Sequence, residues 1–261
     1  MFLISPYAHA NSLLAILQKL GLTTNLKLCL DVADGRSYPG SGTTLFDLSG
    51  GGYDFVFGDG ATSTTYPTFG GGTYLSGDGG DYLTYDSASE TWMNDFAKAG
   101  AAISLIGIVH VPSDAATDIF ATDGNTPAER GFEFRYSAIQ NKFIFASVDS
   151  GETAFLVNGA AGPDVAAQLP ATFFVGFSTT LSPSAAYTIH VNGTNYSGTR
   201  AAIAATSNAP SNPLRILATG DLVEKAPSGA RFYAGGMWLG SVLSSSDFTS
   251  IYDALSAASR V

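Results

Sequence analysis

The sequence is short of cationic charge, of cysteine and of long apolar runs. Twelve lysines and arginines stand against twenty-two acidic residues, a formal net charge of −10. That balance repels phosphate backbones and anionic membranes and argues against nucleic acid as a partner. The single cysteine, Cys29 in "LKLCLDV", cannot close an internal disulfide, so folding in a reducing cytoplasm is expected and Cys29 is read as core. No apolar run approaches the roughly 18 to 20 residues that a spanning helix needs, which excludes membrane insertion by a helix. The opening "MFLISPYAHAN" carries a cleavage-like Ala8-His9-Ala10 triplet but has no basic start, and its apolar run stops at Ile4. It is therefore not read as a secretory signal. A fixed-period repeat and a linker rich in Pro and Ser are missing too, which makes one domain with an N-terminal appendage the simplest parse.

What is abundant points to β-structure. Thirty glycines, seventeen phenylalanines and twelve tyrosines, with only 13% charged residues, describe short strands between tight turns. Strand patterns begin at "NLKLCLDV" and continue through "GTYLSG", "DYLTYD", "AAISLIGIVHV", "GFEFRYSA", "NKFIFASV", "TAFLVNG", "ATFFVGFSTT", "AYTIHVNGTNYSG", "PLRILAT" and "ARFYAGGMWLGSVL". Asn158-Gly159 and Asn192-Gly193 suit the positive φ angles of type I′ hairpin turns. In "GFEFRY" the rings of Phe132, Phe134 and Tyr136 share one face, and Glu133 and Arg135 share the other, which can be wet. Two helices flank the strands. Leu13, Ile16, Leu17 and Leu20 keep helical spacing between a cap at Asn11 or Ser12 and Gly21; near the end Phe248, Ile251, Tyr252 and Leu255 do the same, with Ser246 as the cap. The expected fold is a mostly β, antiparallel sandwich. It divides into an N-terminal helical anchor segment over residues 1–25 and a sandwich domain over 26–261.

The segment "LCLDVADGRSYPGSGTTLFDLSGGGYDF", followed by "GDGGDYLTYD", "ISLIGIVHVP", "YTIHVNGT" and "LRILATGD…FYAGGMWLGSVLSSSDFTSIYDAL", resembles the laminin G-like or concanavalin A-like jelly roll common in bacteriophage and prophage virion proteins. The likeness runs from about Leu26 to Leu255, and Asp31, Ser37 to Thr44 and Asp47 to Gly50 carry it most closely. The chain departs at Gly51 to Phe57, where it reads "GGYDFVF" and many relatives continue with Asn-Gly-Asn. Physical chemistry accounts for the loop without a ligand. Pro39-Gly40 and Ser41-Gly42 turn the chain, and Asp47 can accept from the amides of Ser49 and Gly50. Ser37, Tyr38, Pro39, Gly40 and Asp47 are thus expected to form a folded plug at one end of the sandwich.

Catalytic signatures are sparse. The alternating Glu-x-Asp-x-Glu of retaining glucanases of this fold is absent; Glu133 has only Arg135 beside it, a surface ion pair by expectation. No Gly-x-Ser-x-Gly elbow appears, and "SGGG" and "FGGG" lack the lysine and helix of a phosphate cradle. His110 and His190 lie inside strands, away from other ligand types, and read as core or face-lining. An enzyme is not expected. Calcium is the one candidate ion, because "SGDGGD" and "FATDGN" place Asp78, Asp81, Asp118, Asp123 and Asn125 near turns, and relatives of this fold often carry it; Asp-Gly turns explain the same residues. For carbohydrate, Trp92, Tyr74 and Tyr82 are the candidate stacking rings, Trp92 foremost in the polar "ASETWMND"; Trp238 belongs to the core.

The resemblance implies a non-enzymatic surface protein of a phage or phage-like particle, on its head or tail, made in the bacterial host cytoplasm. Its implied partners are host-surface glycan and other virion proteins, the latter through the N-terminal segment, and a homo-oligomer is compatible with it. The alternatives are a purely structural decoration domain without glycan affinity and a glycan-degrading enzyme.

Overall fold

The computed structural model describes residues 10–85, 90–98, 100–123, 131–148, 154–157, 163–180, 186–199 and 209–261. In chain order the strands are β1 (Leu26–Asp31), β2 (Thr44–Leu45), β3 (Phe55–Phe57), β4 (Thr68–Gly70), β5 (Tyr74–Ser76), β6 (Leu83–Tyr85), β7 (Ala102–Val111) and β8 (Thr117–Ala121). They continue with β9 (Gly131–Ser137), β10 (Lys142–Val148), β11 (Ala154–Val157), β12 (Ala171–Thr180), β13 (Ala186–Val191), β14 (Thr194–Thr199), β15 (Leu214–Ile216) and β16 (Arg231–Leu239). Helix α1 (Leu13–Lys19) precedes them and α2 (Ser245–Ala257) follows.

Two antiparallel sheets form the expected sandwich. The first runs β14-β13-β12-β7-β16-β5-β4, and β1 pairs with β16 beyond the stretch that β5 uses. The second runs β11-β10-β9-β8-β15-β6-β3-β2. Aromatic rings fill the space between: Phe145 of the second sheet stacks on Phe177 of the first at 4.5 Å. Asn192 and Gly193, at φ 43° and 87°, make the hairpin turn between β13 and β14. The pair Asn158-Gly159 lies outside the described residues.

A third layer explains the strands that do not alternate. β7 and β12 are buried along nearly their whole length because the inner face meets the second sheet and much of the outer face meets the helices. Leu13, Ile16 and Leu17 of α1 and Phe248, Ile251 and Leu255 of α2 cluster with Cys29, Ile106, Ile108, Phe174, Ala234 and Trp238. The apolar stripe of α1 is therefore covered by its own sandwich. Leu13–Lys19 packs on the sandwich through these residues, and residues 1–9 of the expected anchor segment lie outside the described residues. Ser12 caps α1, its Oγ accepting from Ala15 N at 3.3 Å. The cap of α2 is Ser244 rather than Ser246, since only Ser244 exchanges bonds with Asp247 in a capping box. Asp31 ties both termini together, accepting from Leu13 N at 2.7 Å and from Arg260 Nη1 at 2.9 Å.

Close approach of α2 requires a glycine beneath it. A Cβ at Gly176 would stand 2.5 Å from Cδ1 of Phe248. Gly176→Ala is expected to cost about 1–3 kcal/mol by overpacking, read as a lowered Tm; an unchanged Tm would mean that the helix slides freely.

The 37–50 loop is held by local hydrogen bonds of the kind its turn residues predict. Ser37 Oγ accepts from Asp31 N at 3.2 Å and donates to Phe46 O at 2.6 Å. Tyr38 is buried against Phe57 and Phe69 and donates to Gly42 O at 3.1 Å, and Gly40 takes φ 86° beside exposed Pro39. Asp47 Oδ1 accepts from Ser49 N and from Cys29 N of β1, both at 2.9 Å. Burial, with Asp31, Asp47 and Asp34 nearby, raises the Cys29 thiol far above its ordinary pKa and leaves it unreactive.

Candidate functional site

Beyond the helices the outer face of the first sheet turns polar. β12, β7, β16, β5 and β4 align Thr172, His110, Arg231, Ser76 and Thr68 in one row. The row lies next to Phe174, Ile108 and Ala234, which the helices cover. Directly paired residues share a face, and all five are half-buried or exposed. His110 Nδ1 lies 3.2 Å from Thr172 Oγ1. Burial, with the Arg231 charge beside it, holds His110 below its ordinary pKa, so the ring is neutral at pH 7.

At the β4 end the row opens into a groove of about 320 Å³ whose lining includes Thr68, Gly70, Tyr74, Ser76, Asp78 and Ser228. The Tyr74 ring packs against Gly70, where a Cβ would fall 2.4 Å from the ring, and its centroid stands 5.3 Å from that of Tyr233. The Arg231 guanidinium lies over Tyr74, 4.5 Å from its centroid, a cation–π contact that orients both groups. Asp78 is shaped by turn bonds: Gly80 N donates to its Oδ1 at 2.8 Å, and its own amide donates to Asp81 Oδ2 at 3.0 Å. Hydroxyls, a carboxylate, a guanidinium and an aromatic ring thus meet at one edge of the sheet. This is the chemistry that fixes sugar hydroxyls and packs on sugar rings.

The structure brings Tyr74 and Asp78 together and sends the other expected residues elsewhere. Trp92 is 8% exposed. The short 3₁₀ segment Thr91–Ala97 turns it into the core, 5.1 Å from Tyr53 and 5.8 Å from Phe96, so it presents no open face to a sugar. Tyr82 is also buried, with Arg215 5.8 Å from its ring centroid. Asp81 is buried and bonds to the Asp78 amide. Asp118 stands inside β8 rather than in a loop, Asp123 is buried just past that strand, and Asn125 lies outside the described residues. Among the described residues no group of three or more His, Cys, Asp or Glu side chains could hold a metal ion.

The Glu133–Arg135 pair is withdrawn from the surface that its sequence suggests, with Glu133 buried and Arg135 half-buried. Arg135 Nε is 3.2 Å from Glu133 Oε2, and Nη1 donates to Glu224 Oε2 at 2.8 Å. Segment 217–226 supplies Glu224 and is tied to β8 through Leu217 N to Asp118 O at 3.0 Å. Opposite Arg135, Asp118 is fully buried, and neither carboxylate oxygen has a hydrogen-bond partner among the described residues. Burial, reinforced for Asp118 by Glu133 and for both residues by Glu224 and Asp221, raises the pKa of Asp118 and of Glu133. His190 is likewise internal: its Nδ1 lies 2.9 Å from Asn195 Oδ1 and its Nε2 accepts from Gly193 N at 2.9 Å.

No family model and no curated protein sequence matches this chain. Solved structures do. Trypanosoma rangeli sialidase in complex with sialic acid is 11% identical, with 90% of this chain covering 33% of that one at a TM-score of 0.57. The binding domain of botulinum neurotoxin DC in complex with SialylT is 14% identical over 89% of this chain and 52% of its own, at 0.59. A structure of botulinum neurotoxin type C, whose cell entry is dependent upon interaction with two ganglioside molecules, is 14% identical over 91% and 53%, also at 0.59. The likeness is one of fold, and the chain spans a third to about half of the length of these proteins.

Arg231, Thr68, Ser76 and Ser228 are the site residues that sequence reasoning missed, while His110 lines the face as its place in a strand suggests. Alternation in "ARFY" and "TYLS" does put Arg231 and Tyr233, and Tyr74 and Ser76, opposite the buried Phe232 and Leu75. Only the pairing of β16 with both β5 and β7 makes neighbours of them.

Proposed function

We propose that the chain is a non-enzymatic, carbohydrate-binding β-sandwich that sits on the surface of a phage or phage-like particle and contacts host-surface glycan through the Tyr74 groove. The observation that carries the binding role is the convergence of Tyr74, Asp78, Ser76, Thr68 and Ser228 on one open groove flanked by Arg231. Glycan-bound neighbours of the same fold lend it support. The particle assignment rests on the loop Ser37 to Gly50 and the strand order that resembles virion jelly rolls. The non-enzymatic reading is favoured because the carboxyls of Asp118 and Glu133 are shut inside the protein.

Labelled protein is expected to bind bacterial host cells that carry their surface polysaccharide and not cells stripped of it. Tyr74→Ala should weaken binding by about tenfold, as removal of a central aromatic contact does. Equal binding to both cell types would overturn the glycan reading, and no binding to either would favour a purely structural decoration role.

A further inference from the structure

We propose that the groove takes a carboxylate-bearing sugar, with Arg231 as the residue that reads the carboxylate. The inference rests on the glycan-binding reading above and narrows it to a substrate class.

Three described arginines are paired with carboxylates: Arg36 with Asp34 at 2.6 Å, Arg135 with Glu224 at 2.8 Å and Arg260 with Asp31 at 2.9 Å. Arg231 has no carboxylate within 4.0 Å among the described residues, although acidic side chains outnumber basic ones by twenty-two to twelve. Arg215 lacks one as well, but it belongs to β15 in the second sheet, packed over Tyr82. Arg231 alone combines the missing partner with a place beside an open groove.

Its orientation is set before any ligand arrives. The guanidinium lies on Tyr74, which is itself wedged against Gly70 and Tyr233, and Ser76 and His110 flank it in register. A cation already positioned over a ring loses little freedom on binding, and its planar fork matches the two oxygens of a carboxylate. The other groups present complete a sugar rather than a bare anion. Asp78 accepts from hydroxyls, while Thr68, Ser76 and Ser228 offer hydroxyls of their own. Asp78 and the net charge of −10 also disfavour a more highly charged phosphate. At about 320 Å³ the groove is at the small end of ligand sites, which span roughly 300–1,000 Å³, and suits a terminal sugar.

The test is calorimetric titration of the full chain with sialyllactose and trigalacturonate, each beside its neutral counterpart, lactose and galactotriose. At least one acidic probe is expected to bind roughly tenfold more tightly than its counterpart. Arg231→Gln should abolish that preference, and Arg231→Lys should restore little of it because an ammonium has no fork. Thermal melts of both variants report folding, and the acid-to-neutral comparison on the unaltered chain stands without them. Equal affinity for acidic and neutral probes, or a preference that survives in Arg231→Gln, overturns the assignment of Arg231 while leaving glycan binding intact. Binding of none of the four probes, together with equal adsorption to intact and polysaccharide-stripped cells, overturns both.

Discussion

Asp31→Ala is expected to lower unfolding free energy by about 3–5 kcal/mol, the usual effect of removing one partner from a buried ion pair. Asp31 is fully buried, and its carboxylate binds Arg260 through both terminal nitrogens, the Leu13 amide at the start of α1 and the Ala33 amide. Its loss leaves the Arg260 side chain, 12% exposed, without its direct ion-pair partner. The same carboxylate joins the first helix to the last residues of the chain, so α1 should loosen along with the C-terminus. Urea unfolding of the single variants and of Asp31→Ala/Arg260→Ala would measure the coupling between the two residues. A loss below about 1 kcal/mol, typical of an exposed pair, would show that this tether contributes little.

Asp118→Asn is expected to stabilise the protein at pH 8 and to flatten its dependence on pH. Burial raises Asp118 well above the ordinary carboxylate value of 3.8, with Glu133, Glu224 and Asp221 adding to the rise and Arg135 opposing it. Between the ordinary value and the raised one, the native chain keeps a proton that the unfolded chain has released. Stability from this group is therefore complete at low pH and declines as the pH climbs through that window. Asparagine removes the ionisation. Its advantage should approach about 1–3 kcal/mol at pH 8, the scale of an unsatisfied buried polar group, and shrink toward pH 5. His190 works in the opposite sense: burial lowers its pKa, so its contribution fades as the pH falls through the ordinary histidine range. Unfolding curves from pH 5 to 8 separate the two, and an advantage of Asp118→Asn over the unaltered chain that grows toward acid would refute the assignment to Asp118.

Local chemistry was legible wherever neighbours in sequence decide the outcome. The turn residues of the 37–50 loop, the Asn-Gly hairpin at 192–193, the apolar stripes of both helices and the burial of Cys29 and Trp238 all follow from spacing and side-chain type. β8 was not legible as a strand, because Asp118 interrupts its apolar run and resembles a loop residue until Arg135 is seen opposite it. Trp92 misled for a related reason. Its polar neighbours suggest exposure, but the 3₁₀ turn points the ring inward toward Tyr53 and Phe96.

An antiparallel β-sandwich with two capped helices, an acidic surface and a folded loop after β1 can be read from the order of residues alone, since each depends on periodicity, composition or turn chemistry within a few residues. Long-range pairing was needed to cover α1 with the sandwich, to withdraw the Glu133–Arg135 pair from the surface, and to lay Arg231 on Tyr74 between Ser76 and His110. Those outcomes depend on which strand pairs with which, and that choice is made by burying apolar faces against segments far away in the chain, which no local pattern records.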